Sequence, residues 1–147
     1  MDRKKFIKQC GFACISGTVM ASLLESCAAS KTIPGNIVQD YITIPFSAFD
    51  TKNTQKSAAK KYVVIQNDAL QYPICVFRFS DNDYSALWMQ CTHQGTELQV
   101  FGDKLQCPAH GSEFDNRGNV SNGPAAKHLR TLPVTIDNNQ IKISLAK

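Results

Sequence analysis

The sequence predicts an all-β fold, an antiparallel sandwich or barrel with its binding loops at one tip, behind a short N-terminal export segment. After residue 36, apolar residues come in short runs rich in β-branched side chains, and turn-forming residues separate these runs. No run with the helical period extends beyond two turns in that part of the sequence. Many short strands with regular turn signals are typical of antiparallel sandwiches and barrels.

The individual strands follow from the same two signals. Alternating or β-branched runs predict single strands at 37–45, 62–65, 74–79 and 84–89. Two further pairs of runs predict hairpins, 98–101 with 104–106 and 134–136 with 140–143, because Gly102-Asp103 and residues 137–139 are turn formers. The polar stretch 47–60 is predicted to be a loop.

The first 26 residues have the layout of an export signal. A cationic stretch is followed by an apolar run over 11–24 and then by small polar residues. The run is shorter than the roughly 20 residues that span a bilayer comfortably. Arg3 and Lys4 resemble the pair of a twin-arginine signal with lysine in the second position. The sequence therefore predicts a signal over 1–26, a linker over 27–36 and one domain over 37–147, with a buried first helix as the alternative for the apolar run.

Cys27 follows Leu24-Glu25-Ser26, which resembles a bacterial lipoprotein cleavage box, although Glu25 is unusual there. In that interpretation Cys27 becomes the lipidated first residue of the mature protein. The alternative is an incidental cysteine beside an uncleaved anchor. Both interpretations tether the domain to the membrane on its extracytoplasmic side, because acyl chains or an apolar segment hold a protein at the bilayer.

Charge argues against nucleic acid as a partner. The net charge is +4, and half of it belongs to the first 26 residues, where Arg3, Lys4, Lys5 and Lys8 outweigh Asp2 and Glu25. The remaining chain is too weakly basic for the footprint of a nucleic-acid-binding domain. We therefore expect a soluble surface of mixed charge on the domain.

The cysteines point to a metal rather than to disulfides. Three of the six lie in or next to the export segment, and Cys75 lies in an apolar run that predicts a buried small side chain. Only Cys91 and Cys107 have histidines beside them, in the pattern C-x-H, thirteen residues, C-x-x-H, which includes His93 and His110. Both halves lie where a predicted strand ends and a glycine-containing loop begins. A hairpin joins the two loops, so four metal ligands are expected to converge at one tip.

The donor set suits either zinc or an iron–sulfur centre. Common zinc sites take two cysteines from one motif and two histidines from another, as C-x-x-C and H-x-x-x-H. Here each loop offers one cysteine and one histidine. In a Rieske 2Fe–2S centre one iron takes both thiolates and the other takes both imidazoles. Each loop can then give one ligand to each iron, so the pattern favours the two-iron centre, with a zinc-binding module as the alternative.

From about residue 37 onward the sequence resembles the Rieske family. Three sequence motifs carry most of this resemblance. They are Cys91-Thr92-His93-Gln94-Gly95, Cys107-Pro108-Ala109-His110-Gly111-Ser112-Glu113-Phe114-Asp115 and the proline-containing loop Gly123-Pro124-Ala125-Ala126 before Leu132-Pro133-Val134. The resemblance implies three antiparallel sheets and one Rieske 2Fe–2S cluster per chain. It also implies that the cysteines hold the buried iron and the histidines the outer iron. Around the cluster it implies supporting roles for Gly95, Gly111, Ser112, whose hydroxyl would hydrogen-bond a cluster sulfide, and Pro124.

Three departures from the family pattern predict a lower reduction potential than quinol-oxidising complexes use. Members from cytochrome bc complexes carry a further cysteine in each ligand loop, and these form a disulfide. Here the corresponding residues are Thr96 and Ala109. A tyrosine that often bonds a ligand sulfur is replaced by Phe114.

The resemblance implies single-electron transfer, either as a carrier or as the iron–sulfur subunit of a respiratory or oxidoreductase complex. The expected partners are a cytochrome or a quinol-oxidising or molybdenum subunit, together with the membrane through the N-terminal anchor. A soluble ferredoxin that serves an oxygenase is the alternative, which the export signal disfavours. A catalytic oxygenase would need a second iron site, for which His128 is the only spare histidine.

Overall fold

The computed structural model describes residues 32–51 and 59–146. The predicted export signal and Cys27 lie outside these residues. None of the helical segments in the described part is long and apolar enough to cross a membrane.

Short strands dominate the described residues, as the sequence predicts. They are β1 Thr32–Pro34, β2 Asn36–Val38, β3 Tyr41–Pro45, β4 Tyr62–Gln66, β5 Ile74–Arg78, β6 Tyr84–Trp88, β7 Gln99–Phe101, β8 Lys104–Gln106, β9 Glu113–Phe114, β10 Val120–Asn122, β11 Thr131–Leu132, β12 Val134–Asp137 and β13 Gln140–Ser144. A 3-10 turn, Phe46–Phe49, follows β3. The all-β prediction is confirmed.

The strands form three sheets. The central sheet has the order β1-β4-β5-β6-β11, a second has the order β12-β13-β3-β2, and the smallest has the order β10-β9-β8-β7. Neighbouring strands pair antiparallel except β1 and β4, which are parallel.

Both faces of the central sheet are covered, which explains the continuous apolar run of β5. Ile74 and Val76 belong to one core cluster, whereas Cys75 and Phe77 belong to the other. This alternation follows from the two-residue period of a strand. The first cluster packs against isoleucines of β3 and β13, and the second packs against Leu105 of the smallest sheet. The second core also contains the two cysteines of the predicted metal centre. The centre is therefore anchored in a packed interior.

The N-terminal part of the domain differs from the prediction in two ways. Residues 32–34 lie in the stretch predicted to be a linker, yet they pair with β4. The run 37–45, predicted to be one strand, folds back on itself as β2 and β3 around a turn at Gln39 and Asp40. Gln39 has a φ of +55°. Long polar side chains seldom adopt this conformation, so the sequence carries no signal for the turn.

Candidate metal centre

Two loops with the same backbone geometry carry the four predicted ligands. In the first, Cys91 N–H donates to the Thr96 carbonyl (2.8 Å) and Gly95 N–H donates to the Cys91 carbonyl (2.8 Å). In the second, Cys107 N–H donates to Ser112 (2.8 Å) and Gly111 N–H donates to Cys107 (3.0 Å). Each loop thus closes on its own cysteine through a pair of hydrogen bonds at equivalent positions.

The backbone conformation requires a glycine at the position four residues after the cysteine of each loop. Gly95 and Gly111 have φ values of +76° and +77°. Only glycine reaches this region without steric cost from a Cβ atom. The predicted supporting role of both glycines therefore has a physical basis in the shape of the loops.

The structure separates the four donors into a buried pair and an exposed pair. Cys91 and Cys107 are 2% and 1% exposed and end in the second core cluster. His93 and His110 are exposed, and their ring centroids lie 5.0 Å apart with the planes at 89°. Among residues 32–51 and 59–146, no three His, Cys, Asp or Glu side chains gather around one point as they would around a single ion. The donors form instead a buried pair of thiols and an exposed pair of imidazoles.

The surroundings of Cys107 favour its thiolate. Burial by itself would raise the pKa of this thiol. The backbone N–H groups of His110 and Ala109 and the side chains of Cys91 and Thr96 hydrogen-bond the sulfur and outweigh burial, so that the pKa is lowered below its ordinary value. The thiolate is the form that ligates metals.

A third loop, residues 122–127, is tied to both ligand loops. Asn122 Nδ2 donates to the Gly111 carbonyl (3.2 Å), and Ala125 N–H donates to Ser112 Oγ (3.0 Å). Thr92 Oγ1, between the two predicted ligands of the first loop, donates to the Lys127 carbonyl (2.6 Å). Pro124, for which the resemblance implies a supporting role, is exposed and follows a cis peptide bond. Hydrogen bonds to both ligand loops therefore hold the third loop against one side of the tip.

Ser112 is fully buried, with 0% exposure. Its oxygen accepts the Ala125 N–H, and this orientation leaves the hydroxyl proton available to another acceptor. A buried hydroxyl held in this way is suited to hydrogen-bond a sulfur atom of a bound cluster.

Sequence reasoning missed Tyr72. Its hydroxyl donates to the Gly95 carbonyl (2.7 Å), and its ring meets Trp88 edge-on with 6.1 Å between the ring centroids. Tyr72 belongs to the segment before β5, and no local pattern shows that this segment reaches the first ligand loop. The bond depends on the pairing of β5 with β6, which brings residues 23 positions apart into contact.

Cys75, which the sequence predicts to be buried, and the spare histidine His128 both lie outside the predicted ligand set. Cys75 is fully buried, and burial raises the pKa of its thiol far above the ordinary value. His128 is an exposed loop residue whose Nδ1 accepts the Val120 N–H (3.2 Å). Neither side chain is part of the four-donor group.

Comparison with known families decides the identity of the fold. The family model described as the Rieske [2Fe-2S] domain matches residues 49–133, which include both ligand loops and the third loop. The chain belongs to the Rieske 2Fe–2S domain family. It therefore carries a Rieske-type 2Fe–2S cluster, as the sequence predicts.

Relatives of this Rieske protein include iron-sulfur subunits of cytochrome b6-f complexes. The cytochrome b6-f complex iron-sulfur subunit of Synechococcus sp. (strain CC9605) is 36% identical over 154 aligned residues, covering 98% of this chain and 85% of that protein. The subunit of the same name from Prochlorococcus marinus (strain NATL1A) is 38% identical over 56 residues, 37% of this chain. That shorter alignment spans 32% of the relative's length, and several further relatives match over the same share.

Solved structures share the Rieske fold. The cyanobacterial plasma membrane Rieske protein PetC3 from Synechocystis PCC 6803 superposes with a TM-score of 0.50 at 28% identity, covering 57% of this chain and 86% of that one. Naphthalene 1,2-dioxygenase, at 16% identity, gives a TM-score of 0.55 over 72% of this chain and 26% of its own. The second likeness concerns the fold alone.

The donor set fits the two-iron cluster of this family. A 2Fe–2S core of the Rieske type needs two thiolates on one iron and two imidazoles on the other. The buried thiol pair and the exposed imidazole pair are arranged in that order from the core outward.

Proposed function

We propose that Cys91 and Cys107 hold the inner iron, that His93 and His110 hold the outer iron, and that the protein transfers single electrons through this exposed tip. The observation that carries the proposal is the separation of the donors into a buried thiol pair and an exposed imidazole pair 5.0 Å apart. When bound, the cluster supplies one-electron oxidation and reduction. The two histidines offer the short path between that centre and a partner.

The residues around the centre differ in role between its buried and its exposed side. The core packed beneath Cys91 and Cys107 excludes water from the thiolate side. On the outer side, each imidazole uses one nitrogen as a ligand, and its other nitrogen can hold a proton or hydrogen-bond a partner. Neutral imidazoles in place of two thiolates also leave the site less negative, which raises its potential above that of four-cysteine ferredoxins.

For its cellular setting, we propose a membrane-tethered protein on the extracytoplasmic side that acts as a carrier or as the iron–sulfur subunit of an oxidoreductase complex. The export-type segment 1–26 and Cys27 support the tether and the side. Alignment over 98% of the chain with a cytochrome b6-f iron-sulfur subunit supports a membrane complex over a soluble ferredoxin.

The ligand proposal is tested by replacing one exposed histidine at a time. His110→Ala should abolish the electron paramagnetic resonance signal of the reduced protein and the one-electron step in a redox titration. His128→Gln is the matched control, because His128 is also an exposed loop histidine but lies outside the donor group. Loss of the signal in both variants, or in neither, would contradict the assignment.

The tether is tested separately in cells. Wild-type protein should be found in the membrane fraction with an acylated Cys27, and external protease should digest it in spheroplasts. Cys27→Ser should remove the acyl group without changing the cluster spectrum. An intact Met1 on a soluble, protease-protected protein would contradict both the anchor and the location.

The missing disulfide and Phe114 lead us to propose a midpoint potential well below the top of the Rieske range, which is about +300 mV. Neither Thr96 nor Ala109 can form the bridge, and the ring of Phe114 is fully buried without a hydroxyl. Protein-film voltammetry measures the value directly, and a potential near that upper limit would contradict this part of the proposal.

A further inference from the structure

A cleft beside the first ligand loop gathers positive charge next to His93. It has a volume of about 520 Å³ and opens to solvent between the first loop and the stretch from Lys127 to Arg130, at the end of the third loop. The polar and charged residues that line it are Gln90, Thr92, His93, Gln94, Lys127 and Arg130. None of the described residues that line it is acidic.

The guanidinium of Arg130 is held in place, and the backbone of Lys127 is anchored, by contacts that involve no carboxylate. Arg130 donates to the carbonyls of Leu145 (3.1 Å) and Ala146 (3.2 Å), and its Cζ lies 5.5 Å from the ring centroid of Trp88. The carbonyl of Lys127 accepts the Thr92 hydroxyl, which fixes this residue beside the loop that carries His93. Ordering of this kind lowers the entropic cost of binding an anion.

Neither cation has an acidic partner within residues 32–51 and 59–146. The carboxylates of that part that form ion pairs are Asp81, Asp83, Glu113 and Asp137, and their partners are other cations. Two exposed, unneutralised cations beside an electron-transfer ligand create a local field that attracts negative charge.

We propose that this cleft is a docking site for the acidic surface of a redox partner protein, with Lys127 and Arg130 contacting its carboxylates and His93 at the edge of the contact. The inference rests on the proposed function, because it assigns the partner chemistry of the same electron-transfer tip. Charge complementarity of this kind acts mainly on the association rate and its salt dependence. It gives the tip a basic flank on the side of the first ligand loop.

The test uses the reduced, cluster-loaded full chain and two oxidants of opposite surface charge, an acidic plastocyanin and a basic cytochrome c. Lys127→Glu should slow electron transfer to the acidic protein about tenfold at low ionic strength. It should not slow transfer to the basic protein. At about 1 M salt, where the Debye length falls to roughly 3 Å, the difference should vanish.

Lys61→Glu is the matched control, since Lys61 is an exposed lysine that precedes β4, at the end of the central sheet remote from the ligand loops. It changes the net charge by the same amount and should alter the rate by less than about twofold. Equal slowing by both variants would reduce the effect to net charge and overturn the proposal. Succinate tests whether the cleft binds a small carboxylate instead of a protein. If succinate shifts the midpoint potential of the wild type but not that of K127E, the docking proposal is overturned.

The two levels of failure are distinguishable in the same experiment. A protein without the iron–sulfur absorption, or one that transfers no electron to either oxidant, contradicts the proposed function. An intact cluster that reduces the acidic oxidant equally fast in wild type and K127E contradicts only the docking site.

Discussion

Gly95 and Gly111 occupy equivalent positions in the two ligand loops, with φ values of +76° and +77°, and each donates its N–H to the carbonyl of the cysteine four residues earlier. The chain thus uses one loop geometry twice, once after β6 and once after β8. In both copies the geometry brings a buried cysteine and an exposed histidine to the same tip.

Replacing Gly111 by alanine tests this geometry. A Cβ at Gly111 would meet no atom within 4 Å, so the cost comes from the backbone conformation alone. We expect about 1 kcal/mol of destabilisation, together with faster loss of the cluster. Thermal unfolding and the decay of the visible absorption measure the two effects. Gly102→Ala is the control, because Gly102 has a φ of +66° and equally open surroundings but lies in the hairpin turn between β7 and β8. Faster cluster loss in G102A than in G111A would contradict the account.

Ser112→Ala should lower the midpoint potential. The buried hydroxyl accepts the Ala125 N–H, which leaves its proton for a cluster sulfur. This hydrogen bond is stronger when the cluster is reduced, because the reduced cluster is more negative. A difference of about 1.5 kcal/mol between the two states corresponds to roughly 60 mV for a one-electron couple. Voltammetry of the two proteins measures the shift. An unchanged potential in a variant that retains its cluster would show that Ser112 has no role in tuning.

Tyr72→Phe removes the bond to the Gly95 carbonyl while keeping the ring against Trp88. We expect about 1 kcal/mol of lost stability and a changed spectrum of the reduced cluster, because the first ligand loop loses a support. Tyr62→Phe is the control, since the Tyr62 hydroxyl makes no hydrogen bond with the described residues and its ring packs on Phe77. A spectral change of the same size in Y62F would argue against a specific role for Tyr72.

Asp115 should contribute to acid sensitivity. Burial pushes the pKa of this carboxyl upward, but hydrogen bonds from the Asn119 side chain and from the N–H groups of Asn119, Arg117 and Gly118 outweigh it and lower the pKa. A lowered folded-state pKa means that the stabilisation is complete above the ordinary value of about 4 and is lost as the pH falls through the lower, folded-state value.

Asp115→Asn should therefore be less stable than wild type at pH 7 and converge with it on acidification below about pH 4. Thermal unfolding across this range measures the difference between the two proteins. Asp103→Asn is the control, because this exposed carboxylate makes no hydrogen bond with the described residues. A constant gap between D115N and wild type down to pH 2 would contradict the linkage.

Local chemistry made much of this molecule predictable. The strands β4, β5 and β6 follow from β-branched and aromatic residues, and the ligand loops follow from mixed Cys–His pairs beside glycine. By contrast, β1 has only three residues, one of them Pro34, and its parallel partner lies about 30 positions later. No local pattern signals such a pairing.

The surroundings of the centre depend on tertiary contacts in the same way. Tyr72 reaches Gly95 only because β5 pairs with β6, and Thr92 reaches Lys127 across 35 positions. Arg130 lies beside the first ligand loop because β11 pairs with β6. The sequence patterns predict the four donors, but the contacts around them arise from the folded sheets.

The ligand set is tested most directly by pulsed electron paramagnetic resonance of the reduced protein after selective labelling of its histidines with nitrogen-15. We expect strong couplings to two histidine nitrogens, which persist in His128→Gln and vanish together with the signal in His93→Ala. A reduced cluster without strong histidine coupling, or a colourless protein that holds zinc at the tip, would contradict the mixed thiolate and imidazole ligation.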